Sequence, residues 1–191
     1  MKKFITIAGI CCALPLIIVA IIALSNQKSS LTKQSENTPA PKVVEETLSV
    51  GALFADFSVT EVSGQTITRD SLKGKPTIAW FTTSWCVPCQ IGARDVAKVD
   101  NELGGQAFNV LVIFVDLREN KDDLINWRKQ FANKDWMVAF DNETTLLAQK
   151  INLRFLDSKF LLDKNGVIKN IDFKIADEAY LNTIRKAVVG N

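Results

Sequence analysis

The sequence contains no histidine, and only two of its four cysteines, Cys86 and Cys89, lie outside an apolar N-terminal run. A structural zinc site needs about four nitrogen or sulfur ligands, and the chain lacks them. A disulfide-stapled domain would also need more cysteines than one pair. Strong charge of either sign is missing too. With Lys2 and Lys3 set aside, the 23 basic residues fall to 21 and match the 21 acidic ones. That balance argues against nucleic acid as the main partner, which calls for a basic stripe. No proline follows Pro88, and there are no internal repeats.

Against these gaps stands Trp80-Phe81-Thr82-Thr83-Ser84-Trp85-Cys86-Val87-Pro88-Cys89. It reads as an apolar strand running into a Cys-x-x-Cys at the first turn of a helix. Unpaired N–H groups and the helix dipole stabilise negative charge there, so Cys86 is expected to be an accessible thiolate near neutral pH. Pro88 suits a first-turn position, where its missing N–H loses no helix bond. Cys89, one turn along, is placed to attack a mixed disulfide formed at Cys86. The competing readings are half a zinc site, for which ligands are lacking, and a structural bridge, whose loop is too small to stabilise much. A redox pair is the favoured reading, and it calls for neither a metal nor a cofactor.

Residues 1–3 are Met-Lys-Lys, and residues 4–24 carry no charge. As a helix that run would span about 31 Å, enough to cross a bilayer. The two lysines place the N-terminus in the cytoplasm and the rest of the chain outside. A cleaved signal sequence competes, since Ala23 and Ser25 are small, but its apolar region normally runs only about 7–15 residues. An uncleaved transmembrane anchor is expected, with Pro15 tolerated inside it. Cys11 and Cys12 fall within the anchor and read as small apolar residues, with electron relay across the bilayer as the alternative. Residues 25–46, rich in Ser, Thr, Gln, Asn, Lys and Pro, read as a tether reaching roughly 25 Å.

The domain proper is expected over 47–191. Residues 54–59 alternate like a half-buried strand, and Ser63-Gly64-Gln65 turns into Thr66-Ile67-Thr68. Asp70 reads as the N-cap of a short turn. Residues 77–82, apolar on both faces, read as a central strand. A helix follows, with Gly92, Val96, Val99 and Leu103 at helical spacing and Gly104-Gly105 at its end. A second apolar strand covers 109–116, with helices at 121–132 and 143–150 around a short strand 137–140. Residues 159–162 and 167–173 form a hairpin about Asp163-Lys164-Asn165-Gly166. Asp177 begins a last helix with Ala179, Ile184, Ala187 and Val188 inward. Trp127, Phe131 and Trp136 are expected in the core, Arg94 on the surface, and Asp116 capping the turn after its strand. The order implies an α/β sandwich with a mixed central sheet, its motif loop at the carboxyl end of a central strand.

On these pieces the chain resembles the thioredoxin-like superfamily, in particular the membrane-anchored, extracytoplasmic TlpA-like thiol–disulfide oxidoreductases. The matching segments are Gly51…Asp56-Phe57, Gly64, Ser71-Leu72-Lys73-Gly74-Lys75-Pro76, the Phe81-to-Cys89 motif and Phe160-Leu161-Leu162-Asp163-Lys164-Asn165-Gly166. The resemblance implies a thioredoxin-like three-layer sandwich, Cys86 as attacking thiol, Cys89 as resolving thiol and Trp85 beside them. It also implies a periplasmic or cell-surface setting, with protein disulfides or dithiols as partners and a membrane electron-transfer protein as carrier. Three positions depart from the pattern. Asp157 stands where a cis-proline is usual, which implies a carboxylate near the thiols, either relaying a proton or capping a turn. Trp80 stands six residues before Cys86, where thioredoxins carry a buried carboxylate. Arg94 replaces a helix proline.

Two other readings use the same fold. A Sco-like copper chaperone would use a Cys-x-x-x-Cys and a histidine, both missing, though two thiolates suit a soft ion. A peroxiredoxin-like peroxide reductase would match Thr83 but would want proline where Ala79 stands.

Overall fold

The computed structural model describes residues 48–141 and 145–190. The expected anchor, the tether, Cys11, Cys12 and a helix start at Glu143 lie outside the described residues. Among the described residues, no helix is long and apolar enough to cross a membrane.

Seven strands and four helices are described. β1 (Ser58–Thr60) and β2 (Thr66–Thr68) pair as a small antiparallel sheet. The main sheet contains β3 (Thr77–Thr82), β4 (Asn109–Phe114), β5 (Met137–Phe140), β6 (Ser158–Leu162) and β7 (Ile168–Asp172). The helices are α1 (Val87–Glu102), α2 (Lys121–Phe131), α3 (Thr145–Lys150) and α4 (Glu178–Val189). Strand order in the main sheet is β5-β4-β3-β6-β7, with β3 parallel to β4 and antiparallel to β6. The sheet is therefore mixed, and β3 is its centre.

Successive strand side chains point to opposite faces, and both faces of β3 are covered. Ile78 and Trp80, with Val110, Val112 and Phe114 of β4, pack against residues of α1, α2 and α4. Ala79 and Phe81, with Leu111 and Ile113, pack against Phe54, Phe57, Val59, Ile67 and Leu147. That is why all six residues of β3 are buried, and it makes the domain three layers deep. The carboxyl ends of β3 and β4, the start of β6 and the end of β7 meet at one edge, since Phe81 pairs with Ser158 and Lys159 with Asp172.

Several expectations need correction. Residues 54–59 do not form one strand: β1 begins at Ser58, and both Phe54 and Ala55 are buried. The backbone before β1 bonds the β6–β7 hairpin instead, through Gly51 N–H to Ile168 O and Phe54 N–H to Gly166 O. Asp70 is not a cap. It pairs with Lys73 at 2.7 Å, while Thr68 and Ser71 fasten the turn with reciprocal bonds. β4 stops at Phe114, two residues early. Ala179 is exposed, because α4 starts at Glu178 under the Asp177 cap and turns Tyr180, Leu181 and Ile184 inward. Trp127 and Trp136 are buried as expected, and Phe131 is half-buried. Arg94 is exposed, its guanidinium 4.6 Å from the Phe131 ring centroid.

Gly92 is buried where α1 crosses the segment before α4. A Cβ there would lie 3.2 Å from the Ala176 backbone N and 3.5 Å from Trp80 Cη2. Helix propensity favours Gly92→Ala by about 1 kcal/mol, and overpacking opposes it by about 1–3 kcal/mol. Because the obstructing atom is backbone, Gly92→Ala is expected to lose about 1 kcal/mol net, read as a lower urea midpoint. A raised midpoint would show that the Ala176 segment yields.

Candidate active site

β3 delivers the chain to the sheet edge, and a turn over residues 83–86 closes with Cys86 N–H on Thr83 O at 3.2 Å. α1 starts at the next residue, so Cys86 is its N-cap. The Cys86 sulfur accepts from Cys89 N–H at 3.4 Å, one of the orphan donors of a helix start. Pro88 sits in the first turn, where it forfeits no helix bond. The sequence thus brings a sulfur to a helix N-terminus, where a negative charge on it is favoured.

Cys86 and Cys89 are joined as a disulfide, with Cα atoms 5.3 Å apart. Cys89 is fully buried, and Cys86 retains 7% exposure. The expectation of a freely accessible Cys86 is therefore corrected: in this oxidised form only an edge of it reaches solvent. Its neighbours Trp85 and Val87 carry the exposure, at 56% and 59%.

Asp157 is buried and adopts φ +64°, a left-handed conformation that Asp tolerates better than most residues. Its Oδ1 accepts from Trp80 Nε1 at 2.9 Å and from Lys159 Nζ at 3.0 Å. The carboxylate absent from position 80 thus arrives from the start of β6 and meets the indole that replaced it. Among the described residues Asp157 caps no turn N–H, and its side-chain partners are Trp80 and Lys159. Burial pushes its carboxyl up against the opposing pull of Lys159 and Trp80.

Sequence reasoning missed Lys159 and the loop after β4. Lys159 is fully buried, yet its ammonium meets the Asp157 carboxylate and carbonyl, Asp172 Oδ1 at 3.1 Å and the Lys174 carbonyl. It also lies 5.2 Å from the Trp80 ring and 5.5 Å from that of Tyr180. In the loop, Asp116 does cap its turn through Arg118 N–H, but its Oδ2 also accepts from Trp85 Nε1 at 2.8 Å. The Arg118 guanidinium, bidentate on Asp116, holds that carboxyl well below the usual range. Glu119 Oε1 accepts from Ser84 N–H, and Gln90 Nε2 donates to Ser84 O at 2.7 Å. Thr83 is buried with its hydroxyl unpaired, and Ala79 is buried within β3. Among the described residues, no cluster of three or more His, Cys, Asp or Glu side chains is placed to hold a metal.

Residues 50–171 match the AhpC/TSA family. The chain belongs to the AhpC/TSA family. The thiol–disulfide oxidoreductase ResA of Bacillus cereus is 30% identical over 125 residues, covering 64% of this chain and 69% of the relative. The thiol:disulfide interchange protein DsbE of Pseudomonas fluorescens is 22% identical over 130 residues, covering 68% and 69%. The crystal structure of the thioredoxin domain of a Bacteroides vulgatus thiol–disulfide oxidoreductase superposes with a TM-score of 0.64 at 17% identity, covering 74% of this chain and 99% of that one. The fold is thioredoxin-like, and this AhpC/TSA member is a thiol–disulfide oxidoreductase.

Lys159 gives this AhpC/TSA chain a testable electrostatic core. Lys159→Met removes the cation from between two carboxylates and is expected to cost about 3–5 kcal/mol near pH 7. A buried acid whose folded pKa is raised favours folding at low pH and loses that contribution as pH rises through the raised value. Burial already holds Asp157 above its ordinary 3.8, and losing Lys159 raises it further. The stability deficit of Lys159→Met should therefore shrink as pH falls from 7 toward 4, measured by urea unfolding. A deficit constant across that window would mean that Asp157 stays ionised.

Proposed function

We propose that the protein is a membrane-tethered thiol–disulfide oxidoreductase working outside the cytoplasm, on the periplasmic or cell-surface side, and exchanging disulfides with partner proteins. The observation that carries this reading is the Cys86–Cys89 disulfide at the start of α1, one sulfur at the rim and the other sealed below. ResA and DsbE, by their names, perform this class of chemistry. The uncharged run 4–24 and the polar stretch 25–46 would supply anchor and tether.

In the reduced form, the Cys86 thiolate attacks a partner disulfide. A bond forms between Cys86 and one partner sulfur, and the other partner sulfur leaves as a thiolate and takes up a proton. Cys89, once deprotonated, attacks the Cys86 sulfur, re-forms the internal disulfide and releases the second partner thiol. Two electrons pass from the pair to the partner. A membrane electron-transfer protein carrying a dithiol restores the pair by the same exchange in reverse, and the oxidised pair can likewise oxidise partner dithiols.

The surface around the pair supports polypeptide partners. Trp85, Val87, Leu117, Phe155, Phe173 and Ile175 are exposed large apolar residues, and the sheet topology brings their loops to the edge that carries the disulfide. Such a rim suits an extended apolar segment flanking a cysteine. Trp85 would contribute contact area, Pro88 the helix start, and Asp157 the fixed indole of Trp80 beneath α1.

Insulin reduction by the full chain with dithiothreitol tests the reading. Cys86→Ser is expected to fall to the buffer rate, and Cys89→Ser to accumulate a mixed disulfide visible on a non-reducing gel. Full activity of Cys86→Ser would remove the proposal.

A further inference from the structure

We propose that Glu119 is a positioning residue for this exchange: its carboxylate clamps the turn that carries Cys86, and its charge opposes ionisation of the Cys86 thiol. The inference rests on the thiol–disulfide reading.

The turn over residues 83–86 decides where the Cys86 sulfur meets the helix start. Its central residue Ser84 is fastened on both sides, N–H to Glu119 Oε1 and carbonyl to Gln90 Nε2. Trp85, the next residue, is tied to Asp116. Gln90 belongs to α1 itself, so the only anchors outside the strand–turn–helix unit in this set are two acidic residues of one loop. That loop is stiff. Glu119 N–H bonds Asp116 O at 3.1 Å, and Asn120 caps α2 with a reciprocal bond from its own N–H to Asp123 Oδ2.

The two acids are not equivalent. Asp116 is neutralised by the bidentate Arg118. Glu119 is half-buried, its Oε2 is buried without a hydrogen-bond partner, and no residue among those described forms a salt bridge with it. Its charged surroundings are Asp116 and Asp123, which oppose its ionisation, and Arg118, which is engaged by Asp116. Burial is the larger influence and pushes the Glu119 carboxyl up, against the opposing pull of its bond from Ser84. Through that bond the carboxylate is held two residues before Cys86, and a negative charge held near a thiolate disfavours it. Ionised Glu119 therefore holds the turn firmly and makes the Cys86 thiolate dearer in free energy. Neutral Glu119 relieves the repulsion.

Glu119→Gln separates the two effects, since the amide oxygen can still accept from Ser84 N–H while the charge is gone. The measurement is iodoacetamide labelling of Cys86 in the reduced full chain from pH 5 to 9, read by peptide mass spectrometry so that Cys11 and Cys12 do not interfere. Labelling at pH 6 is expected to rise about threefold to tenfold in Glu119→Gln, the range set by a charge removed at moderate separation near a protein surface. Its pH profile should shift to lower pH. Glu119→Ala should label at least as fast yet reduce insulin several-fold more slowly, because the turn is no longer held. A Glu119→Gln profile overlying the wild type within twofold would overturn the proposal and leave the redox reading intact, provided the wild-type chain reduces insulin. A wild type that does not reduce insulin would remove both.

Discussion

The first amides of α1 have no carbonyl behind them to bond, and the fold places a sulfur in front of them. Most of the domain can be read as serving that junction. β3 must be central for its end to open at the sheet edge, which requires β4 on one side and β6 on the other. A strand so placed is covered on both faces, so it is apolar throughout and brings the chain to the helix start with little freedom. The turn of residues 83–86 then needs outside support, and α1 and the loop after β4 provide it.

On the side of the sheet that packs against α1 and α4 lies an ionic cluster beside the rings of Trp80 and Tyr180. Lys159 is tolerable at zero exposure because its donors are met by carboxylate and carbonyl oxygens, and two aromatic rings face its charge. Asp157 links this cluster to Trp80 and hence to the underside of α1. Two positions that look like departures from a thioredoxin-like pattern, 80 and 157, are hydrogen-bonded to each other. Their substitutions make physical sense together: the indole brings a donor that the carboxylate on β6 accepts.

Features governed by local physics were legible in the sequence. The bounds of β3 and β5, the Asp177 cap and the hairpin around Asp163 follow from apolar runs and turn chemistry that need no knowledge of distant residues. The reading failed where pairing partners decide. Lys159 looks outward by alternation, but its position opposite Trp80 and beside Asp172 comes only from the register of three strands. The segment before β1 alternates like a strand, yet its backbone is claimed by a hairpin more than a hundred residues later. Glu119 sits in a polar loop with no periodicity to mark it; only the adjacency of β3 and β4 brings it to Ser84. The sulfur pair was evident from spacing, and its shielding was not, because exposure depends on how the surrounding layers close.

That shielding has a consequence for electron traffic. With Cys89 at zero exposure in the disulfide form, a dissolved thiol has no direct route to it, and a reactant must first engage its neighbour at the rim. The inner sulfur is in effect an insulated contact. The bond is guarded on its inner side against casual reduction and opens only from the rim.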